Sequence, residues 1–297
     1  MAQKTKTIPN WLLWGIWITA GLCIAAIVLL AVLTAGRISE PAEQPTEAAV
    51  KTAEQSTQPE EPVPEEETGE KIPVFDLLEN PYAGEDFAFR GRYLECISGP
   101  CRIGIDVSAW QNEINWPLVK AAGMEFAMIR LAYRGSTAGN LREDDFAAVN
   151  YRGAKDAGLE VGCYVYSQAI TPEEAVEEAE LALQMVQDWK LELPIVFDWE
   201  QSGDRTAGLS KRTLTDCAAA FCQTIEDAGY DAMIYFNKYQ AYNKLELDEL
   251  KEYGFWFAMY SETMDFPYRV DMWQYSESGT VPGIDGLVDL NILFEYQ

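Results

Sequence analysis

Alternating apolar and polar positions lay out the chain from residue 104 onward. Gly104-Ile-Asp-Val-Ser108 is a short apolar run with a polar end and predicts a strand. Asn115 to Gly123 offers a capping side chain, an early proline and a closing glycine, which predicts a short helix. The same reading gives strands at 126–133 and 161–167, with a helix at 144–158 between them. Thr171-Pro-Glu-Glu174 opens another helix with a capping box, and that helix runs to about Trp189. Its acidic run (Glu173, Glu174, Glu177, Glu178, Glu180) reads as a solvated face near the positive helix end. A strand at 195–200, a helix at 210–229, a strand at 232–236 and a shorter helical stretch to Tyr253 follow.

The rhythm then changes. Residues 255–260, 270–275 and 287–293 predict three strands whose short links hold Pro or Gly, so helices hardly fit between them. Repeated strand-helix units argue for a parallel sheet with helices outside, and eight strands suffice to close a barrel. The expected fold is α/β, a barrel whose first part is β/α and whose last three strands lack helices. The alternative is an open doubly wound sheet, although no Gly-x-Gly-x-x-Gly follows the first strand to support a dinucleotide site.

Upstream of residue 104 the pattern differs. Residues 11–36 carry no charge and are long enough as a helix to cross a hydrocarbon core of about 30 Å. Trp11, Trp14 and Trp17 sit at one end like interfacial anchors, and Lys4 and Lys6 precede the span. The positive-inside rule then leaves residues 1–10 in the cytoplasm and exports the remainder. A cleaved signal peptide is the competing reading, but its apolar core would run about 7–15 residues, shorter than this one. Residues 37–72, rich in Glu, Pro, Thr and Gln, read as a disordered, self-repelling stalk. Residues 73–102 form a separate segment before the barrel at 103–297. In an exported chain, Cys96 and Cys101 of that segment are expected to pair as a small-loop disulfide. Cys163, Cys217 and Cys222 are expected to be free thiols.

Composition narrows the chemistry. A formal net charge of -26 makes nucleic acid an unsuitable partner. The chain has no histidine at all, which excludes Ser-His-Asp and Cys-His catalysis and histidine-based zinc sites. Proton transfer near neutral pH falls to carboxylates, Lys, Tyr or Cys. Phe197-Asp-Trp-Glu200 therefore gains weight: Asp198 and Glu200 stand two apart at a strand end, so both face one side. Asp106 lies near the end of the first strand, and Asp289 in the eighth, which closure makes its neighbour. Four acids at one barrel mouth are the expected catalytic group. Trp110, Tyr133, Tyr164, Tyr166, Trp256, Tyr260, Trp273 and Tyr275 also lie in or just after strand ends. Aromatic platforms beside carboxylates suit a sugar, whose ring has apolar faces and polar edges.

These segments, GIDVSAWQ (104–111), INW (114–116), GCYVYS (162–167), LPIVFDWE (193–200), WFAMYS (256–261), WQYS (273–276) and VDLN (288–291), together resemble the family 25 glycoside hydrolases, the Chalaropsis-type lysozymes. The resemblance covers roughly the last two-thirds of the chain. It implies a distorted TIM-like (β/α)5(β)3 barrel that cleaves the β-1,4 bond from N-acetylmuramic acid to N-acetylglucosamine in peptidoglycan. The family's motif acids fall on Asp106, Asp198, Glu200 and Asp289; the expected substrate contacts are Trp110, Tyr133, Tyr164, Tyr166, Trp256, Tyr260, Trp273 and Gln274. Asn112 and Asn115 depart from the more usual Gly and Asp, and Tyr133-Arg-Gly from a more usual Tyr-Gly; none of these touches the four acids. Glu200 is expected to be the general acid and later the base, with Asp198 ionised beside it. The resemblance suggests the sugar's acetamido group as nucleophile, oriented by Asp198; direct attack by Asp198 is the other course. Asp106 and Asp289 would tune charge and position substrate. No metal or other cofactor is required, and the protein is expected to act as a monomer on peptidoglycan strands, tethered at the outer membrane face. The rival readings are a non-catalytic glycan-binding module and a scaffold for cell-wall machinery.

Overall fold

The computed structural model describes residues 74–296. A hairpin comes first, β1 (Phe87–Arg90) against β2 (Tyr93–Cys96). Then follow β3 (Cys101–Val107), α1 (Trp116–Ala121), β4 (Phe126–Arg134), β5 (Leu141–Glu143), α2 (Ala147–Asp156), β6 (Glu160–Ser167) and α3 (Pro172–Val186). The remainder is β7 (Ile195–Trp199), α4 (Gly203–Thr206), α5 (Lys211–Asp227), β8 (Ala232–Asn237), α6 (Lys238–Asn243), β9 (Gly254–Ala258), β10 (Met272–Gly279) and β11 (Val288–Phe294). The strands join in the order β3-β11-β10-β9-β8-β7-β6-β4, and β3 pairs with β4 to close the ring. Closure decides against the doubly wound alternative. Five strands are each followed by helical structure and the last three are not, as the pattern predicts. Neither the hairpin nor β5, an antiparallel flap on β4, is among the expected elements.

Strand alternation sorts side chains into two layers. Phe126, Met128, Tyr164, Val196, Met233, Tyr235, Trp256 and Met272 fill the barrel interior. Two glycines make that filling possible. A Cβ on Gly104 would sit 2.6 Å from the Phe126 ring, and one on Gly162 would lie 2.7 Å from the Met128 side chain. Each glycine is the register partner of the bulky residue it admits. Residues on the opposite faces, such as Ile129, Phe197 and Phe236, join the larger core beneath the helices.

The segment before β3 covers the side of the barrel that has no helices. The Phe87 ring meets Trp273 edge-on at 5.0 Å, and Tyr82 stacks on Phe294 at 4.8 Å. Leu94 N–H donates to the Tyr275 hydroxyl at 3.3 Å, and Phe75 N–H to the Tyr268 hydroxyl at 2.8 Å. Burial of aromatic area is the main stabilising contribution here, replacing what helices supply elsewhere. It also corrects the expectation for Trp273, which is 0% exposed under the hairpin. Alternation along β10 sends Gln274 inward and Trp273 and Tyr275 outward.

Two further expectations differ from the structure. Cys96 and Cys101 are free thiols, not a disulfide; the Cys101 Sγ lies 3.9 Å from the Cys96 carbonyl oxygen as a weak donor. Cys163, Cys217 and Cys222 are free and buried, as expected. The acidic run on α3 is not wholly solvated either. Glu178 is buried and ion-paired with buried Arg134 at 2.6 Å, because the helix face carrying it packs against β4. The Thr171 hydroxyl caps Glu174 N–H at 3.3 Å, whereas the Glu174 carboxylate accepts from Ile170 N–H at 3.0 Å, one residue earlier than a reciprocal box requires. Among the described residues no helix is long and apolar enough to cross a membrane, and the predicted span at 11–36 and the stalk at 37–72 lie outside those residues.

Candidate active site

The four predicted acids meet at one end of the barrel. Asp106 is the penultimate residue of β3 and Asp198 the penultimate residue of β7; Glu200 follows β7 directly. Asp289 arrives by a different route. Strand β11 runs antiparallel to both β3 and β10, so its second residue, not its last, faces the mouth. Asp289 and Asp106 are register partners across that antiparallel pair.

Asp106 is buried and well provided with donors. Its Oδ2 accepts from Gln274 Nε2 at 2.9 Å and from Asn291 Nδ2 at 2.8 Å. Both amides are themselves oriented. Tyr235 Oη donates to Gln274 Oε1 at 2.8 Å, Tyr260 Oη reaches the same oxygen at 3.3 Å, and Trp256 Nε1 donates to Asn291 Oδ1 at 2.9 Å. Each amide oxygen is thus occupied, so each amide nitrogen must point at Asp106. Burial raises the pKa of Asp106, and these two donors oppose that by favouring the carboxylate. Asp289 shares a hydrogen bond with Asp106. Burial, the Asp106 charge and that bond push Asp289 well above the usual carboxylate range, which favours its neutral form.

Asp198 and Glu200 face a different environment. Asp198 is buried, and its Oδ1 has no hydrogen-bond partner among the described residues. Burial first, then the charges of Glu200 and Asp106, push its pKa well above the usual carboxylate range, against a smaller pull from Arg130. The expected ionised form of Asp198 is therefore disfavoured by the protein's own groups, since desolvation outweighs the pull of Arg130. Burial likewise raises Glu200, to about 7; the Tyr166 hydroxyl that bonds it pulls down, and the Asp106 and Glu277 charges push up. Glu200 can therefore hold a proton near neutrality and release it at small cost.

The predicted substrate contacts divide. Trp110 is 77% exposed on the turn after β3, held by Ser108, whose Oγ accepts from Trp110 N–H at 3.2 Å. Tyr260 is 48% exposed, Tyr133 and Tyr166 are half-buried, and all of these lie where the strands end. Tyr164 and Trp256, packed edge-on at 6.0 Å, are buried in the barrel interior and support the acids from within. Gln274 is a buried partner of Asp106. Asn112, which stands where glycine is common, has a φ of 52°, the one positive value outside glycine among the described residues.

Sequence reasoning missed Arg130, Tyr235 and Asn291. Arg130 points inward from β4, bonds Asp144 at 2.8 Å and lies 5.3 Å from the Tyr133 ring centroid. Its signal was available: a lone cation inside the apolar run Phe126–Tyr133 demands a partner. Tyr235 and Asn291 sit at inward positions of predicted strands, but their role depends on which amide they face. Among the described residues no cluster of His, Cys, Asp and Glu is arranged to hold a metal ion.

The family model for glycosyl hydrolases family 25 matches residues 105–284. The chain is 29% identical over 194 residues to the uncharacterized protein YegX of Escherichia coli (strain K12), spanning 64% of this chain and 68% of that protein. It is 31% identical over 192 residues to the autolytic lysozyme of Clostridium acetobutylicum, covering 63% of this chain but only 54% of the relative. Among solved structures, the modular autolysin LytC of Streptococcus pneumoniae, determined with a synthetic peptidoglycan ligand, superposes with a TM-score of 0.58. That match has 23% identity and spans 65% of this chain and about half, 47%, of LytC, so it speaks to the fold. With the barrel, its mouth of acids and more than half of the chain matched by the family model, this chain belongs to the family 25 glycosyl hydrolases.

Proposed function

We propose that the protein is a lysozyme of the N-acetylmuramidase type, which hydrolyses the β-1,4 bond between N-acetylmuramic acid and N-acetylglucosamine in peptidoglycan. The observation that carries this reading is the pairing of Glu200, raised to about 7, with a buried Asp198 oxygen that has no protein donor. Glu200 gives its proton to the glycosidic oxygen as the bond to the anomeric carbon breaks. The substrate's acetamido oxygen closes onto that carbon, and its N–H donates to the bare Asp198 Oδ1. That bond favours the ionised form of Asp198 where the cleft alone disfavours it. Water then loses a proton to Glu200 and opens the cyclic intermediate, restoring the acid. Asp106, already bonded by two amides, supplies a fixed negative charge near the developing cation. A protein that only binds glycan gains nothing from clustered buried acids that cost folding free energy.

Glu200→Gln keeps shape and removes the proton donor. The expected result is a loss of about 10²–10⁴-fold in reducing-end release from purified peptidoglycan. Near wild-type turnover in that variant would refute the assignment. Borohydride reduction of the products should label muramic acid ends; labelled glucosamine ends would mean a glucosaminidase.

The uncharged run at 11–36 and the acidic stretch at 37–72 support a tethered enzyme working on peptidoglycan close to the outer face of the membrane. A flexible linker of this length would span on the order of 30–35 Å. Shortening it should reduce wall hydrolysis in cells while activity on isolated walls is unchanged.

A further inference from the structure

The end of β7 raises a problem that the sheet does not solve. Its pairing with β8 stops at Asp198↔Tyr235, and its pairing with β6 stops at Ser167↔Trp199. The Trp199 carbonyl lies beyond the β8 ladder and the Glu200 carbonyl beyond both, in a crowded interior where a main-chain oxygen needs a donor. Two buried glutamines supply one each. Gln240 Nε2 donates to the Trp199 carbonyl at 2.6 Å, and Gln168 Nε2 donates to the Glu200 carbonyl and also to its neighbour Ser167 O at 3.2 Å.

Both amides are held in one orientation. Gln240 is the third residue of α6, and its Oε1 accepts from Asn237 N–H at 2.8 Å while its own N–H donates to Asn237 Oδ1 at 3.0 Å. With the oxygen occupied by the cap, the nitrogen must face Trp199. Gln168 is 0% exposed, and turning its amide over would bring its oxygen against two carbonyl oxygens. Its own backbone is fixed in turn, since Arg205 Nε donates to Gln168 O at 3.2 Å. One glutamine comes from the end of β6 and the other from the helix after β8, so they grip the end of β7 from both neighbouring strands.

We propose that Gln168 and Gln240 are positioning residues that clamp the two peptides on either side of Glu200 and so aim its carboxyl. Neither touches substrate. The inference rests on the reading of Glu200 as the acid. A residue just past a strand end keeps few ladder bonds, here one long Glu200 N–H to Ser167 O contact at 3.5 Å, and proton transfer tolerates little displacement. The Tyr166 hydroxyl bonds the Glu200 carboxyl itself, and these two amides hold the main chain that carries it.

The test uses the full chain on purified peptidoglycan, with Gln168→Met and Gln240→Met, which keep length and remove the donors. Each is expected to lower kcat about tenfold or more with KM within about twofold, and to move the alkaline limb of the pH profile that Glu200 governs. Thr215→Val is the control: this buried α5 hydroxyl donates to Lys211 O and accepts from Glu246 N–H, bonding neither Trp199 nor Glu200, and its loss should lower thermal stability without changing kcat. Gln→Glu at either position, which keeps size but puts an oxygen against the carbonyl, should be at least as damaging as Met. Wild-type kcat and pH profile in both Met variants would overturn the clamp. So would a kcat loss that merely follows the folded fraction, as the control defines it. If Glu200→Gln is inactive while both Met variants are fully active, only the clamp fails; if Glu200→Gln is active, the acid assignment falls and the clamp with it.

Discussion

The acid group has two halves that are solvated in opposite ways. On the β3–β10–β11 side, Asp106 receives two amide donors, each oriented by an aromatic donor, and has Asp289 hydrogen-bonded beside it. On the β7 side, Asp198 keeps one buried oxygen without a donor and Glu200 is bonded by Tyr166. A carboxylate whose lone pairs are already occupied by protein can serve as a fixed charge, and it has little left to offer a ligand. A carboxylate that is buried and unsatisfied by protein donors is costly on its own and gains most when a substrate donor arrives. The contrast separates the electrostatic fixture from the reacting pair without reference to any relative.

The largest effect should come from breaking the unsatisfied side. Asp198→Asn keeps shape but turns an acceptor set into a mixed one, and kcat/KM on peptidoglycan should fall about 10²–10³-fold. If the loss is no greater than that from altering the fixture, the two halves are not distinct in role.

Stability should change in the other direction. The folded pKa of Glu200, about 7, lies above its ordinary value of 4.5. The unfolded chain then gives up this proton first as pH rises, so the folded state loses stability between about 4.5 and 7 and regains it on acidification. Glu200→Gln removes that loss. At pH 8 the variant should be more stable than wild type by up to about 3 kcal/mol, and the difference should vanish below pH 4.5. Denaturant titrations at the two pH values decide it.

The satisfied side should yield smaller, mainly electrostatic changes. The Asp106 charge helps hold the Glu200 proton, so Asp106→Asn should lower the Glu200 pKa and shift the alkaline limb of kcat/KM to lower pH, with a rate loss of about 10-fold. Tyr235→Phe leaves the Gln274 oxygen only the longer Tyr260 bond without touching a carboxylate, and should cost only a few-fold in kcat, with a slight shift in the same limb. A larger effect from Tyr235 than from Asp106 would mean that the tyrosine meets substrate directly.

The sequence alone determined a good deal. Strand periodicity located all eight barrel strands to within a few residues, because a strand buried on both faces is an apolar run bounded by turn residues. The absence of histidine pointed the chemistry to carboxylates, and spacing at two put Asp198 and Glu200 on one side of one strand. Only the tertiary structure decided what those acids mean. Strand direction is not written in local pattern, so the reversal of β11 that brings Asp289 to Asp106 had to be seen. Aromatic residues at strand ends look alike in sequence, yet Trp273 lies under a hairpin and Trp110 in the open, since the face a residue takes depends on what packs there. Glu178 looked like its exposed neighbours until Arg134 met it across the core. Hydrogen-bond supply is likewise a long-range property: the donors that satisfy Asp106 and the end of β7 come from strands and helices far along the chain, and their delivery depends on closure of the barrel.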